Sequence, residues 1–210
     1  MLIFFNPFSV YRNIRKRLLL KRLKAVGGNF VFDPLSTFLD PHLISIGNNV
    51  FIGEHAHFAA ELKIGNNVMF GPSPIIVGGD HYFGVEGKSV RFLHPLDREN
   101  CIPVSIEDEV WCGARVTILS GVTIGIGAVI GAGSLVVKSI PPFTVAVGNS
   151  CHPIKKIFTN EILLNHMIAL KYSREFALSI IDRREKELVT WNACNLPCIN
   201  KTSEYWETKT

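Results

Sequence analysis

From Ile46 onward an apolar residue returns every six positions. Ile46, Ile52, Phe58, Ile64, Phe70 and Ile76 form one run of leaders; Ile106, Cys112, Ile118, Ile124, Ile130 and Val136 form a second. Four residues after the leaders stand compact companions: Val50, Ala56, Leu62, Val68 and Pro74, then Val110, Val116, Val122, Ala128, Ser134 and Ile140. A period of six is neither that of an amphipathic helix nor that of a half-buried strand. It suits a three-sided coil. On each side a short strand points its leader inward, and a turn two residues later lets the companion point inward too. Stacked coils then bury one continuous core while their backbones pair from coil to coil. Glycine follows the leader at Gly47, Gly53, Gly65, Gly71, Gly113, Gly125 and Gly131. It fits either a turn with positive φ or a close approach of two backbones.

Residues 77–105 break the repeat, and Gly78, Gly79, Gly84, Gly87 and Pro95 suit an excursion from the coil. A long loop in a repeat domain is often functional. The two runs keep phase across it, because positions 76 and 106 are a multiple of six apart. Phe8 to Ala25 reads as a helix dense in Arg and Lys. Asn160 to Val189 reads as one helix, with Leu163, Met167, Leu170, Ala177 and Ile181 at three- and four-residue steps and Arg174 interrupting. These features divide the chain into a basic N-terminal helical segment (1–33), a β-helix domain (34–158, with the inserted loop 77–105), and a C-terminal helix and tail (159–210).

The 210 residues suffice for one domain with appended ends, and 47% hydrophobic composition supplies a core. The net charge of +4 is unevenly placed. Seven Lys and Arg lie between Arg12 and Lys24, no acidic residue precedes Asp33, and the remainder is slightly acidic. This argues against a nucleic-acid binder. The basic helix is either a solvated element packed on the first coil or a peripheral contact with an anionic membrane through residues 8–25. The five cysteines show no zinc-knuckle spacing and read as reduced thiols. With no membrane-spanning stretch and no signal-peptide pattern, the expected location is the cytoplasm, with contact at the inner face of the membrane as the peripheral alternative.

The repeat resembles the hexapeptide-repeat acyltransferases over roughly Pro34 to Phe158. It is closest to the branch of maltose, galactoside, xenobiotic and capsule or O-antigen O-acetyltransferases. The carrying residues are Gly79-Asp80-His81, Ile102-Pro103-Val104-Ser105-Ile106, Val110-Trp111-Cys112-Gly113, Ile130-Gly131-Ala132-Gly133-Ser134 and Lys138-Ser139-Ile140-Pro141-Pro142-Phe143. The resemblance implies a left-handed parallel β-helix, a homotrimer, acetyl-CoA as donor and no metal. It implies CoA contacts at Trp111, Ala114, Ala132, Val137, Lys138 and Lys155, in a groove between adjacent subunits. It also implies that the inserted loop reaches toward a neighbour. One departure stands out: Gly148-Asn149-Ser150-Cys151-His152-Pro153 replaces the family's usual Gly-Asn-Pro-Ala-Lys ending, which leaves the role of Lys155 open.

Acetyl transfer to a hydroxyl needs a base near the acceptor oxygen, and histidine titrates in the right range. The tetrahedral oxyanion that forms needs donors to stabilise it. Seven histidines compete: His42, His55, His57, His81, His94, His152 and His166. By resemblance, His81 stands where the family's base occurs, shortly after a glycine as the chain enters the loop. His94, within the loop, is the alternative. His55 and His57 lie outside the two inward positions of the hexad, on a surface that either meets the acceptor or is simply solvated. The γ-type carbonic anhydrases share this fold but hold zinc with three histidines, two of them late in the helix; residues 95–151 contain none. The expected function is O-acetylation of a sugar hydroxyl, in a bacterial surface polysaccharide or its lipid-linked precursor. Acetylation of a free sugar, amino sugar or antibiotic, and a non-catalytic assembly subunit, are the competing readings.

Overall fold

A computed structural model describes residues 7–78, 85–93 and 102–193. It divides into two units, residues 1–157 and 158–210. In the first unit, helix α1 (Pro7–Arg22) precedes a stack of coils. The first coil is β1 (Ala25–Val26), β2 (Val31–Phe32) and β3 (Thr37–Phe38). The second is β4 (Ile44–Ile46), β5 (Phe51–Ile52) and β6 (His57–Ala59), and the third β7 (Leu62–Ile64), β8 (Met69–Phe70) and β9 (Ile75–Val77). After the insertion come β10 (Val104–Ile106), β11 (Trp111–Cys112) and β12 (Thr117–Leu119), then β13 (Thr123–Ile124), β14 (Val129–Ile130) and β15 (Leu135–Val136). A last, shortened coil carries β16 (Thr144–Val147), and β17 (His152–Lys156) folds back antiparallel along it.

Every third strand pairs in parallel, which makes three sheets. Sheet A is β1-β4-β7-β10-β13, sheet B runs β2-β5-β8-β11-β14-β16-β17, and sheet C is β3-β6-β9-β12-β15. Ile46 aligns with Ile64, a coil of 18 residues; Ile64 aligns with Ile106, so the insertion extrudes 24 residues, again a multiple of six. That is why the two runs of leaders share one phase. All the leaders and companions are buried. The strands begin at Ala25, ahead of position 34, because the first coil is two residues longer than the rest: Ala25 aligns with Ser45. The excess lies in the 3-10 turn Pro41–Leu43. Aromatic rings fill this end, with Phe30 stacked on Phe32 at 4.6 Å and Phe38 edge-on to Phe58 at 5.2 Å. Helix α1 is tied to the same coil by Arg12 to Asp33 (3.1 Å) and by the Lys16 ammonium 5.9 Å above the Phe32 ring.

The glycines that follow the leaders answer the second of the two needs named above. A Cβ on Gly47 would lie 2.5 Å from the Gly65 carbonyl oxygen, and one on Gly53 would lie 2.6 Å from the Gly71 carbonyl carbon. The backbone of one coil runs against the next there, and no side chain fits. The left-handed residue of each turn comes two positions later. At the A–B corner it is Asn29, Asn49, Asn67, Glu109 and Gly127, with φ between 56° and 66°. Asparagine tolerates this conformation at low cost. Its side chains also hydrogen-bond up the stack: Asn29 Nδ2 donates to Asn49 Oδ1 (2.9 Å), Asn49 to Asn67 (3.0 Å) and Asn67 to Glu109 (2.6 Å). At the B–C corner the position is held by His55, Ser73, Arg115 and Gly133.

The second unit holds two helices rather than the one expected, α2 (Asn160–Ala169) and α3 (Arg174–Ala193). Lys171 takes a left-handed φ of 71°, and Ser173 Oγ accepts the Phe176 N–H at 3.1 Å, so one helix stops and the next is capped. The Arg184 side chain is fully buried and donates to the Phe158 carbonyl (3.0 Å) and to Asn160 Oδ1. No described helix is long and apolar enough to cross a membrane.

The two kinds of glycine separate in a stability measurement. Gly133→Ala meets open space and pays only for its φ of 72°, a cost of about 1 kcal/mol. Gly47→Ala forces two backbones apart, and about 3 kcal/mol or more is expected. Thermal midpoints at matched concentration read the difference; equal losses would contradict the close-approach assignment.

Candidate active site

Between the two inward residues of each side, one residue points out, so each sheet has its own outer row. On sheet A the row is Ala25, Ser45, Lys63, Ser105 and Thr123, small or polar throughout. On sheet B it is Val31, Phe51, Met69, Trp111, Val129 and Val145. On sheet C it is Thr37, His57, Ile75, Thr117 and Leu135. Beside that row, Leu39 and Val137 are exposed, and Val77 and Leu119 are half-buried. The outer row is therefore apolar on sheet B, small or polar on sheet A and mixed on sheet C, where Thr37, His57 and Thr117 share the row with Ile75 and Leu135 and the apolar character comes largely from the residues after the leaders.

Trp111 sits at the middle of the sheet B row, paired with Met69 on one side and Val129 on the other, and is 48% exposed. Lys155 lies on the same sheet, in β17, opposite Val145. Ala114 and Ala132 stack one coil apart at the B–C corner, where the Gly133 N–H donates to the Ala114 carbonyl at 2.8 Å. A Cβ on Gly113 would lie 2.7 Å from the Ala132 nitrogen, so backbone meets backbone here between the methyl groups of Ala114 and Ala132, with the exposed Arg115 next in the turn. His55 occupies the same corner further up, exposed, with Nε2 4.0 Å from Glu54 Oε2. His57 stands on the outer row of sheet C between Thr37 and Ile75. Val137 and Lys138 follow β15, exposed, at the far edge of sheet C. The chain thus sets Trp111 and Lys155 on one face, with β14 and β16 between their strands, and Ala114 beside Ala132 on one corner. It sets Val137 and Lys138 at the opposite edge of sheet C.

The chain leaves the stack at this same far edge. Gly78, directly after β9, donates to the Ala59 carbonyl at 3.1 Å. A Cβ there would lie 3.1 Å from the Ala60 Cβ and 3.4 Å from the Ser120 Cβ, so the exit is a corner of small residues. His81 and His94 lie outside the described residues. Among the described residues of the insertion, Val85, Val90 and Phe92 are exposed. No group of three His, Cys, Asp or Glu among the described residues could hold a metal ion. Cys112 and Cys151 are buried free thiols; burial pushes the Cys112 thiol well above its ordinary value, with Cys151 adding to it, so Cys112 is a core residue and not a nucleophile.

Residues 103–138 match the family model described as the hexapeptide repeat of succinyl-transferase. The chain is 34% identical over 154 residues to the galactoside O-acetyltransferase of Escherichia coli, covering 68% of each protein. It is 33% identical over 157 residues to the galactoside O-acetyltransferase of Lactococcus lactis, covering 73% of each. A hexapeptide-repeat-containing acetyltransferase of Vibrio cholerae, solved in complex with acetyl coenzyme A, superposes with a TM-score of 0.62 at 27% identity over 70% of this chain and 78% of that one. The coils, the interrupted hexad and these relatives converge: the chain belongs to the hexapeptide-repeat acetyltransferase family and is an acyltransferase on a left-handed parallel β-helix.

Proposed function

We propose that this enzyme transfers the acetyl group of acetyl-CoA to a sugar hydroxyl, with a bacterial surface polysaccharide or its lipid-linked precursor as acceptor. Support for donor and sugar comes from the relatives, galactoside O-acetyltransferases by name, and from the Vibrio cholerae neighbour complexed with acetyl coenzyme A. The observation that carries the site is the exit at Gly78: the chain leaves the edge of sheet C three residues before His81. In this reading His81 takes the proton from the acceptor hydroxyl as its oxygen attacks the thioester carbonyl. The carbon–sulfur bond breaks and the proton passes to the departing thiolate. His94 stays the alternative base, and His55 and His57 are acceptor contacts on the neighbouring surface.

The donor reading fits the residues at hand. The pantetheine arm needs a slot lined by small groups, which Ala114 and Ala132 offer at the corner near Trp111; the ammonium groups of Lys138 and Lys155 suit phosphates. On a single chain these groups flank sheet C from both edges, so one copy does not gather them. A head-to-tail contact laying the apolar face of sheet B on the mixed face of sheet C of a neighbour would gather them. It leaves polar sheet A in water, and such heterologous contacts close into rings. The family resemblance implies a ring of three. A free glycoside is the second reading of the acceptor, favoured by the galactoside in the relatives' names.

Two results are expected. Sedimentation at micromolar concentration yields a trimer, and Met69→Asp, which places a charge in the sheet B row, weakens assembly at least about ten-fold; a wild-type monomer would defeat the shared site. Deleting the encoding locus lowers the O-acetyl signals in NMR spectra of the cell-surface polysaccharide. Unchanged acetyl content in a strain shown to express the protein would discard the polysaccharide and leave the free glycoside.

A further inference from the structure

The catalytic reading leaves helix α1 without a task, yet its outer face is unusual. Its orientation is set by the first coil: Arg12 reaches Asp33, Lys16 lies over Phe32, and Leu19, Leu20 and Leu23 are half-buried on the same side. At 100° per residue the opposite face carries Val10, Ile14 and Leu18 in steps of four, with Tyr11 beside them. Ile14 is 52% and Leu18 57% exposed, large apolar side chains at the centre of a face that points to water. Cations border that stripe, Arg17 on one flank and Arg15 and Arg22 on the other, Lys21 lies on the same face past Leu18, and the helix holds no acidic residue. A merely solvated helix has no need of an apolar centre. A protein partner matching this face would need a narrow apolar strip between two acidic borders, whereas an anionic lipid surface offers both chemistries everywhere.

We infer that α1 docks on the surface of an anionic phospholipid bilayer. Val10, Ile14 and Leu18 enter the boundary between headgroups and acyl chains, and the flanking cations meet lipid phosphates, their aliphatic stems lying along the apolar stripe. Clusters of Lys and Arg on such a helix are attracted to the negative leaflet within a Debye length. Docking would hold the enzyme where a lipid-linked glycan is made. The inference deepens that reading of the acceptor, but lipid contact needs no acetyl transfer, so the two can fail separately.

Co-sedimentation of the full chain with vesicles tests it. With about 30% phosphatidylglycerol in phosphatidylcholine, binding is expected at least about ten-fold tighter than to phosphatidylcholine alone, and it should fall as sodium chloride rises. Leu18→Asp, and separately Arg17→Glu with Lys21→Glu, should each weaken binding about ten-fold or more while circular dichroism and thiol release with a soluble sugar stay unchanged. Lys63→Glu, on polar sheet A, should bind as wild type. Equal binding to neutral vesicles, no binding, or variants that bind like wild type would each overturn the inference. So would wild-type self-association through this face, abolished by Leu18→Asp, in a protein that ignores vesicles.

Discussion

Everything in this molecule hangs on the spacing at which one coil's backbone meets the next. At the B corner the Gly53 N–H reaches the Phe70 carbonyl at 3.0 Å, Gly71 reaches Cys112 at 2.8 Å, and Gly113 reaches Ile130 at 2.8 Å. The column runs unbroken past the insertion. Neighbouring strands sit about 4.8 Å apart, too close at these corners for a Cβ, and the recurrent glycine follows from that. So does the hexad: only a fixed side length keeps each hydrogen-bonding group opposite its partner on every turn. The asparagine ladder repeats the arrangement in side chains, since identical residues in identical left-handed turns stand within hydrogen-bonding distance of one another.

A scaffold this regular specifies its surface one residue at a time. Inward positions are committed to the core, so chemistry is confined to the outward residue of each side, to the corners, and to segments that leave the coil. Sheet A carries Ser45, Lys63, Ser105 and Thr123 at its outward positions, sheet B presents Phe51, Met69 and Trp111, and sheet C mixes Thr37, His57 and Thr117 with Ile75 and Leu135. The candidate donor residues follow the same division, with small groups at the B–C corner and lysines beyond it. The chain leaves the wall at one such corner, built from Ala60, Gly78 and Ser120.

Much of this was legible in the chain because the period is long-range and redundant. The leaders and companions follow from spacing alone, and the structure buries all of them; the break expected over 77–105 is narrower, since Val77 ends β9 and Val104 and Ser105 open β10. The first coil escaped because Phe32 and Phe38 keep the period of six but stand two residues out of phase with Ile46, the slip being absorbed by Pro41–Leu43. The break between α2 and α3 escaped because it turns on the φ of Lys171, a residue with no strong preference for that state. The fold-back of β17 escaped because an antiparallel strand carries no hexad. The contrast between the outer faces was present in the residue before each leader, a position the search for buried residues passes over. Site residues taken from family likeness, such as Trp111 and Ala132, fall on accessible positions; that Val137 and Lys138 stand on the opposite edge of sheet C from Ala114 needed three dimensions to see.

Thiol release from acetyl-CoA by the purified protein with a panel of sugars reads directly the proposed transfer with His81 as base. The account predicts sugar-dependent release with one acetyl group gained by the acceptor. With His81→Ala, turnover should fall about 10² to 10⁴-fold while affinity for acetyl-CoA barely changes. Full activity from a correctly assembled His81→Ala protein, or no sugar-dependent release from the wild type, would contradict it.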